Sequence, residues 1–206
     1  MTSRNGLAAA LELPPVEEDF SVAGVSAAHA PQPNTLAFAK QWSEGLLQTI
    51  LEAPLTVFLV PVDDAPTHCP TNALVAAKPR LAYAVLVREH LVAREPAVIA
   101  PTAAISEDAA IGEDVSIGQF AVIEADVQIG AGTRIDSHVV LKSGVRIGSR
   151  CRIGSHTSIG GPGFGFEVDQ NGSPLHIAHF GGVDIGDDVE IGSHVSIAQG
   201  TIEPTR

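Results

Sequence analysis

Between Ile99 and Ile159 an isoleucine or leucine occupies every sixth position without a miss: Ile99, Ile105, Ile111, Ile117, Ile123, Ile129, Ile135, Leu141, Ile147, Ile153 and Ile159. Two residues before most of these anchors stands a second, smaller inward candidate: Ala103, Ala109, Val115, Ala121, Val127, Thr133, Val139, Val145, Cys151 and Thr157. Neither a helix of period 3.6 nor a flat strand of period 2 keeps a six-residue repeat over such a length. A parallel β-helix does, because each hexad forms one side of a coil and coils stack. Three hexads per coil place residues 18 apart above one another at about 4.8 Å, the spacing of strands in a sheet. The pattern therefore predicts a left-handed parallel β-helix whose large aliphatics form interior columns. Six anchors are followed directly by glycine (Gly112, Gly118, Gly130, Gly148, Gly154 and Gly160), which predicts a turn of positive φ at each.

The register breaks once. Ile159 and Ile185 are 26 residues apart, so removing an insert of 20 restores the step, and Ile185, Ile191 and Ile197 resume it. Within the insert Phe164, Phe166 and Val168 alternate, Asn171-Gly172 signals a tight turn, and Leu175, Ile177 and His179 alternate on the return. This reads as a β-hairpin at about residues 161–182, placed either to cover an apolar ligand or to pack on a neighbouring subunit. With the insert removed, His138, His156 and His194 share one position, the third after an anchor, and form an outward column. Such a column could ligate zinc, but parallel imidazoles suit a subunit face or solvent better, and no metal site is assigned.

Residues 1–97 carry no six-residue period and read as a separate α/β domain, joined through Pro96 to Pro101 to a solenoid at 98–206. The pattern predicts a short helix from Gly6 to Leu13, a strand from Ser21 to Ala27 and a helix from Trp42 to Leu51. Strands at Leu55 to Val60 and Ala73 to Ala76 follow, then a helix opened by Pro79.

Composition fits a narrow solenoid interior: 45% of residues are hydrophobic but only 4% aromatic. The start has no apolar core of signal-peptide length and no run is long enough to cross a bilayer, which points to a cytoplasmic protein without a transmembrane segment. Cys69 and Cys151 suggest no disulfide framework. A net charge of −12 argues against nucleic acid as partner. Residues 128–160 nevertheless hold Arg134, Lys142, Arg146, Arg150 and Arg152 against the single Asp136. Arg134 and Arg152 should stack on adjacent coils, either as a solvated face or as a docking strip for an anionic partner.

A mixed domain, a hinge, hexad coils, the run Gly160-Gly161-Pro162-Gly163-Phe164-Gly165-Phe166, a hairpin, and Val183-Asp184-Ile185-Gly186-Asp187-Asp188-Val189-Glu190-Ile191-Gly192 follow one another. Together they resemble the UDP-3-O-(3-hydroxyacyl)glucosamine N-acyltransferases of lipid A biosynthesis, hexapeptide-repeat acyltransferases. Lys78-Pro79-Arg80-Leu81-Ala82-Tyr83-Ala84 is similar to that family's Asn-Pro-x-Leu-Ala-Tyr-Ala element, with Lys78 in place of the asparagine. The resemblance implies a homotrimer that moves a 3-hydroxyacyl chain from acyl carrier protein to the 2-amino group of a UDP-glucosamine derivative, with no cofactor. It implies uridine recognition by the N-terminal domain, where Phe38, Lys40 and Trp42 are the residues that map. It also gives Phe164, Phe166, Arg134 and Arg152 roles toward the acyl chain or its carrier.

N-acylation by a thioester needs a general base beside the attacking nitrogen. The family's histidine falls on a coil past Arg206, and the register fails at Glu203 and Pro204, so the chain reads as truncated, a split product or a degenerate homologue. His179, in Ile177-Ala178-His179, is a weak candidate because it lies on the hairpin return. Two further readings stand beside the first. One is an amino-sugar transferase using acyl-CoA or acetyl-CoA, favoured by the altered Phe38–Trp42 segment and by Pro162 where the family tends to have aspartate. The other is a non-catalytic scaffold, favoured by the missing histidine coil.

Overall fold

The computed structural model describes residues 2–16, 19–93 and 96–206 and divides into two compact units, Met1–Arg94 and Glu95–Arg206.

In the first unit β1 (Thr2–Ser3) leads into α1 (Arg4–Ala10), followed by β2 (Ser21–Val22), β3 (Gly24–Val25) and β4 (Thr35–Phe38). Next come α2 (Glu44–Glu52), β5 (Thr56–Pro61), β6 (Ala73–Ala76) and α3 (Pro79–Leu86), which runs on into a π-helical turn at Val87–Leu91. Strands β3, β4, β5 and β6 form a parallel sheet in chain order, while β1 and β2 pair antiparallel by themselves. A parallel sheet covered on both faces needs apolar residues on both. Leu36, Val57, Leu59 and Leu74 accordingly face a cluster with Leu7 of α1 and Leu86 of α3, and Ala37, Phe58, Val60 and Ala73 face Ile50 of α2.

Several local expectations shift. Helix α1 starts earlier because Ser3 caps it, its Oγ accepting from Gly6 N at 3.1 Å, and it ends before Glu12, which adopts φ +57°. The strand expected over Ser21 to Ala27 is split between two sheets. The short run Thr35–Phe38 is a full sheet member, paired with both β3 and β5, that the pattern did not predict. Ser43 is the N-cap of α2, so Trp42 lies outside that helix.

The second unit is the left-handed parallel β-helix. Its first wall carries Ile105, Ile123, Leu141, Ile159 and Ile197, its second Ile111, Ile129, Ile147 and Ile185, and its third Ile117, Ile135, Ile153 and Ile191. Pairs such as Ile123↔Leu141 and Ile135↔Ile153 are 18 apart, and Ile147↔Ile185 and Ile153↔Ile191 carry the register across the insert. Anchors from Ile117 to Ile159 are buried, and so are the smaller inward residues from Val115 to Thr157. The polar members of that smaller column bond to the coil above. Thr133 Oγ1 donates to Gly148 O at 2.8 Å and accepts from Cys151 N at 3.0 Å, while Thr157 Oγ1 donates to Gly192 O at 2.8 Å. A buried hydroxyl is thereby satisfied without breaking the ladder.

The glycine expectation is corrected. Of the six glycines after anchors only Gly160 has positive φ; the left-handed residue stands two positions later, at Asp114, Phe120, Asp126, Gly132, His138, Gly144, Arg150 and His156. What these glycines supply is clearance. A Cβ on Gly130 would lie 2.5 Å from the carbonyl carbon of Gly148, and one on Gly118 2.5 Å from Ser137 N. Consecutive coils leave no room for a side chain here, and glycine is the residue that lets backbone meet backbone.

Candidate functional site

Each unit presents its own candidate surface. In parallel sheets ligands gather beyond the carboxyl ends of the strands. Phe38 ends β4 there, and Lys40 and Trp42 follow it. Phe38 packs on Tyr83 of α3 with ring centroids 4.9 Å apart, so two segments quoted for the family resemblance meet in space. Trp42 is half-buried against the Ile50–Phe58 cluster, and its Nε1 donates to Pro61 O at 2.8 Å. Lys40 is exposed. The indole is thus fixed by the end of β5, and Lys40, two residues earlier in the chain, is the more exposed of the two groups.

In the second unit, strands Phe166–Val168 and Pro174–His176 pair antiparallel, with Phe166 opposite His176 and Glu167 opposite Leu175. Side chains alternate along a strand and cross-strand partners share a face. Phe166, Val168, Pro174 and His176 therefore lie on one face, and Leu175 on the other. The tip is held by Asp169, whose carboxylate accepts from Asn171 N and Ser173 N at 2.8 Å each. Those two backbone donors hold its pKa below the usual carboxylate value. Phe164 is 95% exposed and meets Phe166 edge-on at 4.9 Å, leaving a hydrophobic surface on a polar-tipped tongue.

His179, half-buried at the base of this tongue, has Nδ1 2.8 Å from Ile177 O. A carbonyl can only accept, so Nδ1 is the donor in this contact, and the ring's other nitrogen is Nε2. That nitrogen lies beside Gly163, where a Cβ would come within 2.6 Å of it.

The five cations of residues 128–160 are spread over different walls and corners. Lys142 Nζ bonds Glu124 at 2.6 Å, Arg146 bonds Asp184 at 3.2 Å, and Arg150 forms a forked pair with Asp188 at 2.7 Å on each arm. The lysine contact holds the Glu124 carboxyl below its ordinary pKa, and the guanidinium does the same for Asp188. Arg134 and Arg152 stand in register on the third wall, in the order Ser116, Arg134, Arg152, Glu190. A groove of about 600 Å³ runs along that wall, lined among others by Ser116, Gln119, Arg134, Ser137, Arg152 and Ser155. Ser116 Oγ is buried without a hydrogen-bond partner among the described residues. The basic character that sequence spread over one strip is thus divided among walls and corners, with Lys142, Arg146 and Arg150 held by acids on neighbouring coils.

At the corner between the third and first walls, Phe120, His138, His156 and His194 stack ring on ring. No group of three or more His, Cys, Asp or Glu converges on a metal position among the described residues, and no described helix is long and apolar enough to cross a membrane.

Residues 126–161 match the family model described as bacterial transferase hexapeptide (six repeats). None of the curated proteins matches the chain. Among solved structures, LpxA from Acinetobacter baumannii is similar at 33% identity with a TM-score of 0.43, over 50% of this chain and 37% of that one. The chain therefore spans little more than a third of that protein's length. A mutant of perosamine N-acetyltransferase from Caulobacter crescentus, in complex with CoA and GDP-perosamine, aligns at 14% identity and a TM-score of 0.21, over 79% of this chain and 85% of that one. The acetyltransferase domain of PglB from Neisseria gonorrhoeae, in complex with acetyl coenzyme A, aligns at 16% identity and a TM-score of 0.21, over 82% of this chain and 95% of that one.

Proposed function

We propose that the chain is an N-acyltransferase that moves a 3-hydroxyacyl group from acyl carrier protein to the 2-amino group of a UDP-glucosamine derivative. The observation that carries this reading is the Phe164–Phe166 hairpin interrupting a hexapeptide β-helix whose residues 126–161 match a transferase family model. Both aromatic rings stay exposed, as a cover for an acyl chain requires. Arg134 and Arg152 give the third wall a basic pair for an acidic carrier. Phe38, Lys40 and Trp42 take the nucleotide end of the acceptor, the lysine meeting phosphate. The assembly is a homotrimer acting in the cytoplasm.

In the reaction the amine nitrogen attacks the thioester carbonyl, a tetrahedral intermediate forms, the C–S bond breaks, and the thiol leaves with the proton that nitrogen loses. His179 is the weak candidate for the base, its Nδ1 held to Ile177 O and its Nε2 the nitrogen left for the reaction.

The test supplies the full chain with a 3-hydroxyacyl carrier protein and a UDP-2-amino sugar, and follows free thiol together with the mass of the amide. Amide formation is expected, with turnover lowered by Arg134→Glu combined with Arg152→Glu and its salt dependence flattened. Transfer that persists in His179→Ala moves the base elsewhere. Thiol release only from acetyl-CoA replaces the donor. Saturable quenching of Trp42 by UDP without any thiol release makes the chain a binding module and ends the enzymatic reading.

A further inference from the structure

One column of side chains serves none of these roles. Phe120, His138, His156 and His194 occupy the third position after an anchor on four successive coils, each with a left-handed backbone at φ 57°, 60°, 61° and 59°. All four are exposed. Their rings stack with centroids 5.2, 4.7 and 4.9 Å apart, and the two imidazole–imidazole pairs lie within 4° and 8° of parallel. At the other two corners the left-handed position is held by Asp126 and Gly144, or by Asp114, Gly132, Arg150 and Asp188. Aspartate and glycine enter that conformation readily. Histidine, like aspartate, enters it more readily than most residues, so the backbone admits these three; what sets this corner apart is that its imidazoles follow one another on adjacent coils and stack.

We propose that this column binds a borderline divalent cation, of the zinc, copper or nickel class, between imidazoles of neighbouring coils. Imidazole is the side chain these ions favour, with metal–nitrogen distances of about 2.0–2.1 Å for zinc. The donors do not converge as a triad, so the binding unit is a pair: His138 with His156, or His156 with His194. Both pairs share His156, which sets the stoichiometry at one ion per chain. In the stacked arrangement the nitrogen lone pairs run side by side, and chelation turns two rings toward each other about their Cβ–Cγ bonds. All three are exposed, which leaves them room to turn, and water completes the coordination. An ion held there ties the coil of Ile135 to that of Ile153, or Ile153 to Ile191, and stabilises the solenoid by linkage.

Calorimetric titration of the full chain, free of any added histidine tag and stripped with chelator, with nickel, copper or zinc chloride tests the site. One ion per chain is expected, with a melting temperature that rises with metal. His156→Asn keeps a residue suited to the left-handed backbone and breaks both pairs, so affinity should fall on the order of tenfold or more. His138→Ala or His194→Ala leaves one pair and should cost only about twofold, the loss of one of two overlapping sites. The double variant His176→Ala with His179→Ala removes the other neighbouring imidazoles, 6.0 Å apart on the hairpin, and should bind like the parent. The melting temperature without metal reports whether each variant folds. The proposal is overturned if no ion saturates, if folded His156→Asn binds like the parent, or if binding disappears with the hairpin pair instead.

Discussion

The two units solve the same problem, burying parallel strands, by opposite means. In the first, a strand finds its place through contacts far along the chain. Arg4 Nε donates to Thr71 O at 3.0 Å across 67 positions, and the buried Asn72 amide reaches Ile50 O, Ala53 O and Thr56 O at 3.0, 3.0 and 3.1 Å. In the second, one rule repeats: each inward anchor meets its counterpart on the next coil, and 20 additional residues leave the anchors in register, with a local shift only between Ile159 and Gly161. A solenoid isolates each rung energetically from all but its neighbours, whereas the α/β unit concentrates its dependence in a few many-partnered residues.

That contrast can be broken by perturbing each unit alone. Ile153→Ala empties a fully buried column site and should cost about 3 kcal/mol. The loss should show in denaturation followed by far-ultraviolet circular dichroism, while the fluorescence of Trp42, the chain's single tryptophan, reports an unchanged first unit. Simultaneous loss of both signals would show that the units unfold as one. Asn72→Ala should do the reverse, at about 2 kcal/mol, because three backbone carbonyls lose their buried donor together.

The smallest effect sharpens the local rule of the solenoid. The pKa of Glu124 is lowered in the folded chain by the Lys142 contact and by Ser143 N. A carboxyl depressed on folding contributes stability above its unfolded pKa, about 4.3, and loses that contribution as pH falls through the lower native value. Glu124→Gln should therefore be less stable than the parent by about 0.5 kcal/mol at neutral pH, with the gap closing in acid. A gap that widens below pH 4 would mean that another group carries it.

Far more of the second unit than of the first was legible in the chain. The anchors and their smaller companions state the solenoid directly, since only a coil of six-residue sides repeats that way. The glycines after the anchors misled because glycine answers two needs, positive φ and close approach, and the sequence does not say which. In the first unit β4 was not predicted although β6, equally four residues long, was, and Trp42 was placed in a helix whose cap proved to be Ser43. Candidate site residues were nameable from resemblance, but their surroundings were not. The Phe38–Tyr83 contact, the tether of Trp42 to Pro61 and the pairing of Lys142, Arg146 and Arg150 with acids on other coils all join segments that the chain keeps apart.

The sequence by itself determined the architecture of the repeat: which residues point inward, which stack 18 positions on, and where a 20-residue insert interrupts them. It could do so because in a solenoid register is a local property, read from period alone. Tertiary structure decided which cations are neutralised, which rings touch and which glycines are needed for clearance. Those outcomes depend on distances between coils and across the sheet, set by the packing of backbone on backbone.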